Sequence, residues 1–174
     1  MNIEQLKNAL PEYAKDIKLN LINVLSIDGA PDLNLNQIYG IALSSALATG
    51  NKEVITAITA QAENYLSEKE LEAAKAATII MAMNNVYYRF IHLASDKSYA
   101  AMPAKLRMNV IGNPGIDKVN FELNCLAVSA MNGCGMCMDA HAHELTKAGI
   151  SKLGVQSCVR IAAVVNAATI SLKI

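Results

Sequence analysis

Cys134-Gly135-Met136-Cys137 places two thiols three positions apart, and His141 follows four positions after the second. On a helix Cys137 and His141 share one face, being i, i+4, and Cys134 lies one turn earlier on nearly the same face. A cysteine at a helix N-terminus gains thiolate character from the first-turn amides. A second thiol can close a disulfide on it, and the histidine supplies an acid/base group. These are the parts of dithiol redox chemistry, and Asn132 or Gly133 is the expected cap of the helix that carries them.

Zinc is the competing use of the same residues. Cys134, Cys137, His141 and His143 offer four ligands, but histidines two apart on one helix point about 200° apart. Zinc sites of this ligand type separate their pairs by a longer stretch of chain. His143 is therefore expected on the outer face, and His92 at the end of a long helix, in a structural role near its C-terminal dipole. Cys125 and Cys158 stand in apolar segments without a neighbouring base and read as core. Met81, Met83, Met131, Met136 and Met138 are expected to be core or pocket lining without chemistry.

Glu122 stands between Phe121 and Leu123 in an apolar stretch before the cysteine pair. It reads either as a solvated helix residue or as a partly buried carboxylate that orients His141 and raises its basicity. The second reading completes a thiol–imidazole–carboxylate relay.

The elements that must hold these residues are helical throughout, because no convincing alternating strand pattern occurs. Helices are expected at Ile3–Leu10, from Pro11 to about Ser26, from about Leu33 to Ala48, and from Asn51 to Leu66. Ser67-Glu68-Lys69-Glu70 is a capping box opening a long helix to about Leu93. A less regular connection and the turn Ile111-Gly112-Asn113-Pro114-Gly115 follow. Three more helices are expected at about 117–131, 134–148 and 152–172, with Gly149 as a left-handed C-terminal cap and Ser151 as an N-cap. Ala42–Ala46 overlays Ala127–Ala130, and Ala77–Ala82 overlays Ala162–Ala167, both at an offset of about 84 residues. The expected fold is thus an all-α, compact multi-helix domain over residues 1–174, built from two weakly similar halves. Its chemistry is confined to the second half, about 117–174.

Composition narrows the partners. Hydrophobic residues make up 53% of the chain and charged residues 17%, so some apolar surface is expected between subunits. Fifteen basic residues balance fifteen acidic ones, which argues against nucleic acid or an anionic membrane as partner. The N-terminus does not read as a secretory signal, and the apolar stretch Ile161–Ile170 is too short to span a membrane. A cytoplasmic location follows as an expectation.

With Glu122, Cys134, Cys137 and His141 in view, the chain resembles the alkyl hydroperoxidase D family, within the carboxymuconolactone-decarboxylase-like superfamily. The signature of that family is a glutamate, eleven residues, then C-x-x-C-x-x-x-H, and every spacing is matched. Further likeness lies in Ile3–Lys7, Leu10–Asp16, Met83–Arg89, Leu106–Asn109 and Asn113-Pro114-Gly115, so the resemblance covers essentially the whole chain. It implies a homotrimeric, all-α peroxidase for alkyl hydroperoxides and hydrogen peroxide. Cys137 would attack the peroxide, His141 and Glu122 would manage its proton, and Cys134 would close the disulfide. It implies no bound cofactor: a dihydrolipoyl group on a 2-oxoacid dehydrogenase subunit, recharged by lipoamide dehydrogenase, would be the reductant. A lactone decarboxylase of the same superfamily is the alternative, and it has no need of two redox thiols. One position departs from the family: members carry histidine beside the second cysteine, where this chain has Met136.

Overall fold

A computed structural model describes residues 1–174, and they form nine α-helices joined by turns and two 3₁₀ segments. The helices are α1 (Ile3–Ala9), α2 (Lys15–Val24), α3 (Leu35–Thr49), α4 (Lys52–Ala62) and α5 (Glu68–Leu93), then α6 (Asn109–Gly112), α7 (Lys118–Met131), α8 (Gly135–Lys147) and α9 (Lys152–Ser171). The all-α expectation holds. Capping chemistry sets most starts: Asn2 with Gln5, Asn34 with Gln37, and Ser67 with Glu70 form reciprocal capping boxes. Ser151 caps α9 through Gly154 N, as expected. Gly149, at φ 97°, turns the chain out of α8.

Several boundaries differ from the sequence reading. Pro11 is extended (ψ 163°) and precedes a 3₁₀ turn at Glu12–Ala14, so α2 begins only at Lys15. That helix stops at Val24 because the Ser26 hydroxyl donates to Asn23 O and accepts from Gly29 N. The fourth helix ends at Ala62 rather than Leu66. Ile111 and Gly112 close the short helix α6 instead of opening a turn; the turn is Asn113-Pro114-Gly115, with Gly115 at φ 76°.

α3-α4-α5 and α7-α8-α9 pack reciprocally. α3 lies against α5 and α9, while α7 lies against α9 and α5. Asn36 of α3 accepts a hydrogen bond from Asn120 of α7, 84 positions later, at 2.9 Å. Where these helices cross, a Cβ on Gly40 would stand 3.0 Å from Asn124 Oδ1, so the close approach needs glycine. The core draws on both halves, from Leu43, Ile58 and Ala74 to Leu126, Leu145 and Ile161.

α9 has the length and apolarity of a membrane span, more than the stretch Ile161–Ile170 alone indicates. It is instead a core helix, with Cys158, Ile161, Ala162, Val165 and Ala168 buried against its neighbours.

Candidate active site

The thiol pair stands at the corner where α7 turns into α8. Gly133, at φ 65°, lets α7 end with Cys134 N donating to Ser129 O and Gly133 N to Ala130 O. Cys134 emerges from this turn as the N-cap of α8, its Sγ accepting from Cys137 N at 3.3 Å. The expected caps, Asn132 and Gly133, belong to the end of α7, because the left-handed turn consumes both. Asn132 is held by Asn85 Oδ1 at 3.0 Å and by Arg89, which donates to its carbonyl at 3.2 Å. Long helix α5 thus braces the corner.

Cys134 and Cys137 form a disulfide with their Cα atoms 5.3 Å apart. Cys134 is fully buried, whereas Cys137 borders a cavity of about 350 Å³ that Glu122 and His141 also line. Glu122 Oε2 lies 2.6 Å from His141 Nδ1, and both side chains are buried. The contact engages Nδ1 and leaves Nε2 as the ring nitrogen without a carboxylate partner. The α7–α8 crossing therefore selects the buried-carboxylate alternative for Glu122.

The zinc ligand set does not assemble. Both cysteine sulfurs are in the disulfide, His141 is engaged by Glu122, and His143 is exposed. No three His, Cys, Asp or Glu side chains converge on a metal position. Cys125 and Cys158 are fully buried. Burial pushes both thiols well up, and the Glu122 charge adds to the effect at Cys125. His92 is exposed at the end of α5, with its ring near Gly135, where a Cβ would meet its Cε1 at 3.3 Å.

Five residues given no part in the site by the sequence reading border it or brace it. Met81 Sδ lies 3.2 Å from His141 Nε2 and accepts from the Ser129 hydroxyl at 3.4 Å. It is a core methionine, but its thioether faces the ring nitrogen that Glu122 leaves free. Asn84 borders the cavity, and Asn85 donates to Ser129 Oγ at 2.9 Å. Met108 and Ile111, from the connection before α7, form part of the cavity wall. The available signal was two adjacent asparagines, poor helix formers, inside a helix of good ones.

A family model described as Carboxymuconolactone decarboxylase family matches residues 97–171. The chain is 56% identical over 164 residues to the alkyl hydroperoxide reductase AhpD of Coxiella burnetii (strain RSA 493 / Nine Mile phase I), covering 94% of this chain and 93% of that protein. It is 56% identical to AhpD of Maricaulis maris (strain MCS10), covering 96% and 95% of the two chains. AhpD of Rhodopseudomonas palustris (strain BisA53) is 53% identical, covering 99% and 94%.

The chain belongs to the AhpD family.

Within this AhpD-family chain the matched family region runs from the 3₁₀ segment after α5 to the end of α9. It takes in Met108, Ile111, Glu122, both site cysteines and His141. The α5 contribution, Met81 and Asn84, lies outside it. Met136, where the resembling family carries histidine, is on the cavity rim and 37% exposed.

Proposed function

We propose that this protein is an antioxidant peroxidase that reduces alkyl hydroperoxides and hydrogen peroxide by cycling Cys134 and Cys137 between dithiol and disulfide. One observation carries the reading: Cys137 faces a mostly apolar cavity together with a buried, hydrogen-bonded Glu122–His141 pair. The names of its AhpD relatives agree with it.

Cys137 is the attacking residue in this cycle, since it borders the cavity and Cys134 does not. Its thiolate sulfur bonds to the distal peroxide oxygen, and the O–O bond breaks. His141 Nε2, with Nδ1 held by Glu122, takes the proton of the Cys137 thiol as that thiolate forms and returns it to the departing alkoxide. Cys134 then attacks the sulfenic sulfur; the S–S bond forms and water leaves. As N-cap of α8, Cys134 receives the Cys137 N–H, which stabilises it as a thiolate for that step.

The reductant we propose is a dihydrolipoyl group on a 2-oxoacid dehydrogenase subunit, recharged by lipoamide dehydrogenase from NADH. Flavin and pyridine nucleotide then belong to partners, and the dithiol itself carries the electrons in this chain. A cytoplasmic location suits a cycle that depends on that supply. The proposed assembly is a homotrimer, supported by Ile79 (71% exposed), Val86 (74%), Phe90 (50%) and Leu93 (69%), an apolar stripe along α5.

A coupled assay with lipoamide, lipoamide dehydrogenase, NADH and cumene hydroperoxide tests the whole cycle. NADH oxidation is expected with the wild type and not with Cys137→Ser. Retention of all thiols after one equivalent of hydroperoxide would sink the reading. A sulfenic acid trapped on Cys134 and never on Cys137, in the single serine variants, would reverse their roles.

A further inference from the structure

Asn84 is a buried polar side chain that the Cys137–His141–Glu122 chemistry leaves unused. It is 4% exposed on α5, one turn beyond Met81, and its side-chain oxygen has no hydrogen-bond partner. Its backbone carbonyl faces Cys137 Sγ at 3.9 Å. Asn84 borders the same cavity as Cys137, Glu122 and His141. The neighbouring Asn85 is a useful contrast: its amide is fully committed to Ser129, Met81 and Asn132 and ties helices together. Leaving a buried amide oxygen unpaired is unfavourable, because its desolvation is not compensated. The only other buried side-chain oxygen in that condition is Ser44 Oγ, which does not line this cavity.

A side-chain amide presents a donor and an acceptor in one plane. A hydroperoxide group is its complement, with one O–H to give and oxygen lone pairs to receive. Apart from Glu144, the remaining wall is suited to carbon: Tyr88, Met108, Ile111, Met136 and Ala140 line it.

We propose that Asn84 holds the hydroperoxide group over Cys137, with the alkyl substituent against Met108, Ile111 and Met136. The amide carbonyl accepts from the peroxide O–H, and the amide N–H donates to the oxygen that leaves. As the Cys137 S–O bond forms and the O–O bond breaks, the electron pair moves to that leaving oxygen. The Asn84 N–H bond strengthens there while His141 supplies the proton, giving alcohol and a sulfenic acid on Cys137. Asn84 is thus a substrate-binding residue, and the proposal rests on the peroxidase reading above.

The test uses the reduced full-length protein and two reagents. Cumene hydroperoxide reports peroxide binding and attack, whereas iodoacetamide, read by mass spectrometry at Cys137, reports that thiolate without a peroxide. Asn84→Leu, close in volume and without polar atoms, is expected to lower the rate constant for cumene hydroperoxide about ten- to hundredfold. Its alkylation by iodoacetamide stays within about twofold, because that reaction makes no demand on the amide. Asn84→Ser, which keeps a hydroxyl, is expected to recover part of the loss and serves if the leucine variant does not fold. Ile111→Ala is expected to lower the ratio of cumene hydroperoxide to hydrogen peroxide rate constants about threefold or more. Equal losses with both reagents would assign Asn84 to the thiol or the fold and overturn the proposal, as would unchanged peroxide rates. If the wild type itself keeps its thiols in hydroperoxide, the peroxidase reading fails and this inference falls with it.

Discussion

Glu122 on α7 and His141 on α8 meet at 2.6 Å across the helix crossing, nineteen positions apart in the chain. The contact leaves His141 Nε2 as the nitrogen available for proton transfer, and Met81 Sδ faces it at 3.2 Å. The proposed acid/base pair and thiol thus lie on α7 and α8, with Met81 of α5 packed against them.

Replacing either partner should slow oxidation of Cys137 by hydroperoxide. His141→Gln is expected to lose about 10²- to 10⁴-fold, the usual worth of a positioned acid/base. Glu122→Gln keeps the shape but replaces the charged acceptor, and about tenfold to hundredfold is expected. His143→Gln, on the exposed face, serves as the control with an unchanged rate. Stopped-flow measurement of thiol loss checks all three, and a normal rate in Glu122→Gln would remove the carboxylate from the mechanism.

Met81 is packed on one side and polar on the other. Met81→Leu conserves volume and is expected to cost less than about 1.5 kcal/mol of stability. Met81→Ala opens a hole under His141 and is expected to cost about 2–5 kcal/mol. Urea denaturation distinguishes them, and equal costs would show that the site collapses freely around the missing side chain.

The four cysteines should divide cleanly. Burial raises the Cys125 and Cys158 thiols in the folded protein, so both remain protonated and unreactive at pH 8. Reduced native protein is expected to alkylate at Cys134 and Cys137 only, with all four reacting after unfolding. Peptide mass mapping makes the assignment, and rapid labelling of Cys125 in the folded state would contradict its placement.

Glu70 supplies a pH-dependent increment to α5. Burial raises its pKa, but hydrogen bonds from Ser67 and Asn36 outweigh that, and the net shift is below the ordinary 4.5. A depressed folded value stabilises the protein above the unfolded value and is lost as the pH falls through the folded one. Wild type should therefore exceed Glu70→Gln by about 0.5 kcal/mol near neutrality, a small figure because solvent screens the group. Glutamine retains the capping box geometry, so the comparison isolates the charge. The difference should shrink as the pH falls below 4.5 and vanish only below the folded value, and a series of thermal melts from pH 7 downward would reveal a constant gap if the charge is irrelevant.

Local periodicity and caps carried much of this protein into the sequence. The shared face of Cys137 and His141 follows from 3.6 residues per turn, whatever the helix packs against. Ser67, Gly149 and Ser151 mark helix ends because their backbone and side-chain preferences act within a few residues. The similarity of the two halves was readable as an offset of about 84 residues, though the reciprocal packing of α3 and α7 was not. Pro11 misled, since its fixed φ suits both a first helical turn and the extended residue before a 3₁₀ turn.

By itself, then, the sequence determined which side chains share a helix face: a thiol pair with a histidine one turn on, and a glutamate on the helix before. Only the tertiary structure decided that Glu122 turns inward to His141, that Cys134 caps α8 itself, and that Met81 and Asn84 of α5 complete the cavity. The reason is physical. A face is fixed by the repeat of one helix, but what that face meets depends on the turn at Gly133 and the crossing of α5, α7 and α8. Those depend on packing among residues far apart in the chain, to which no local preference is sensitive.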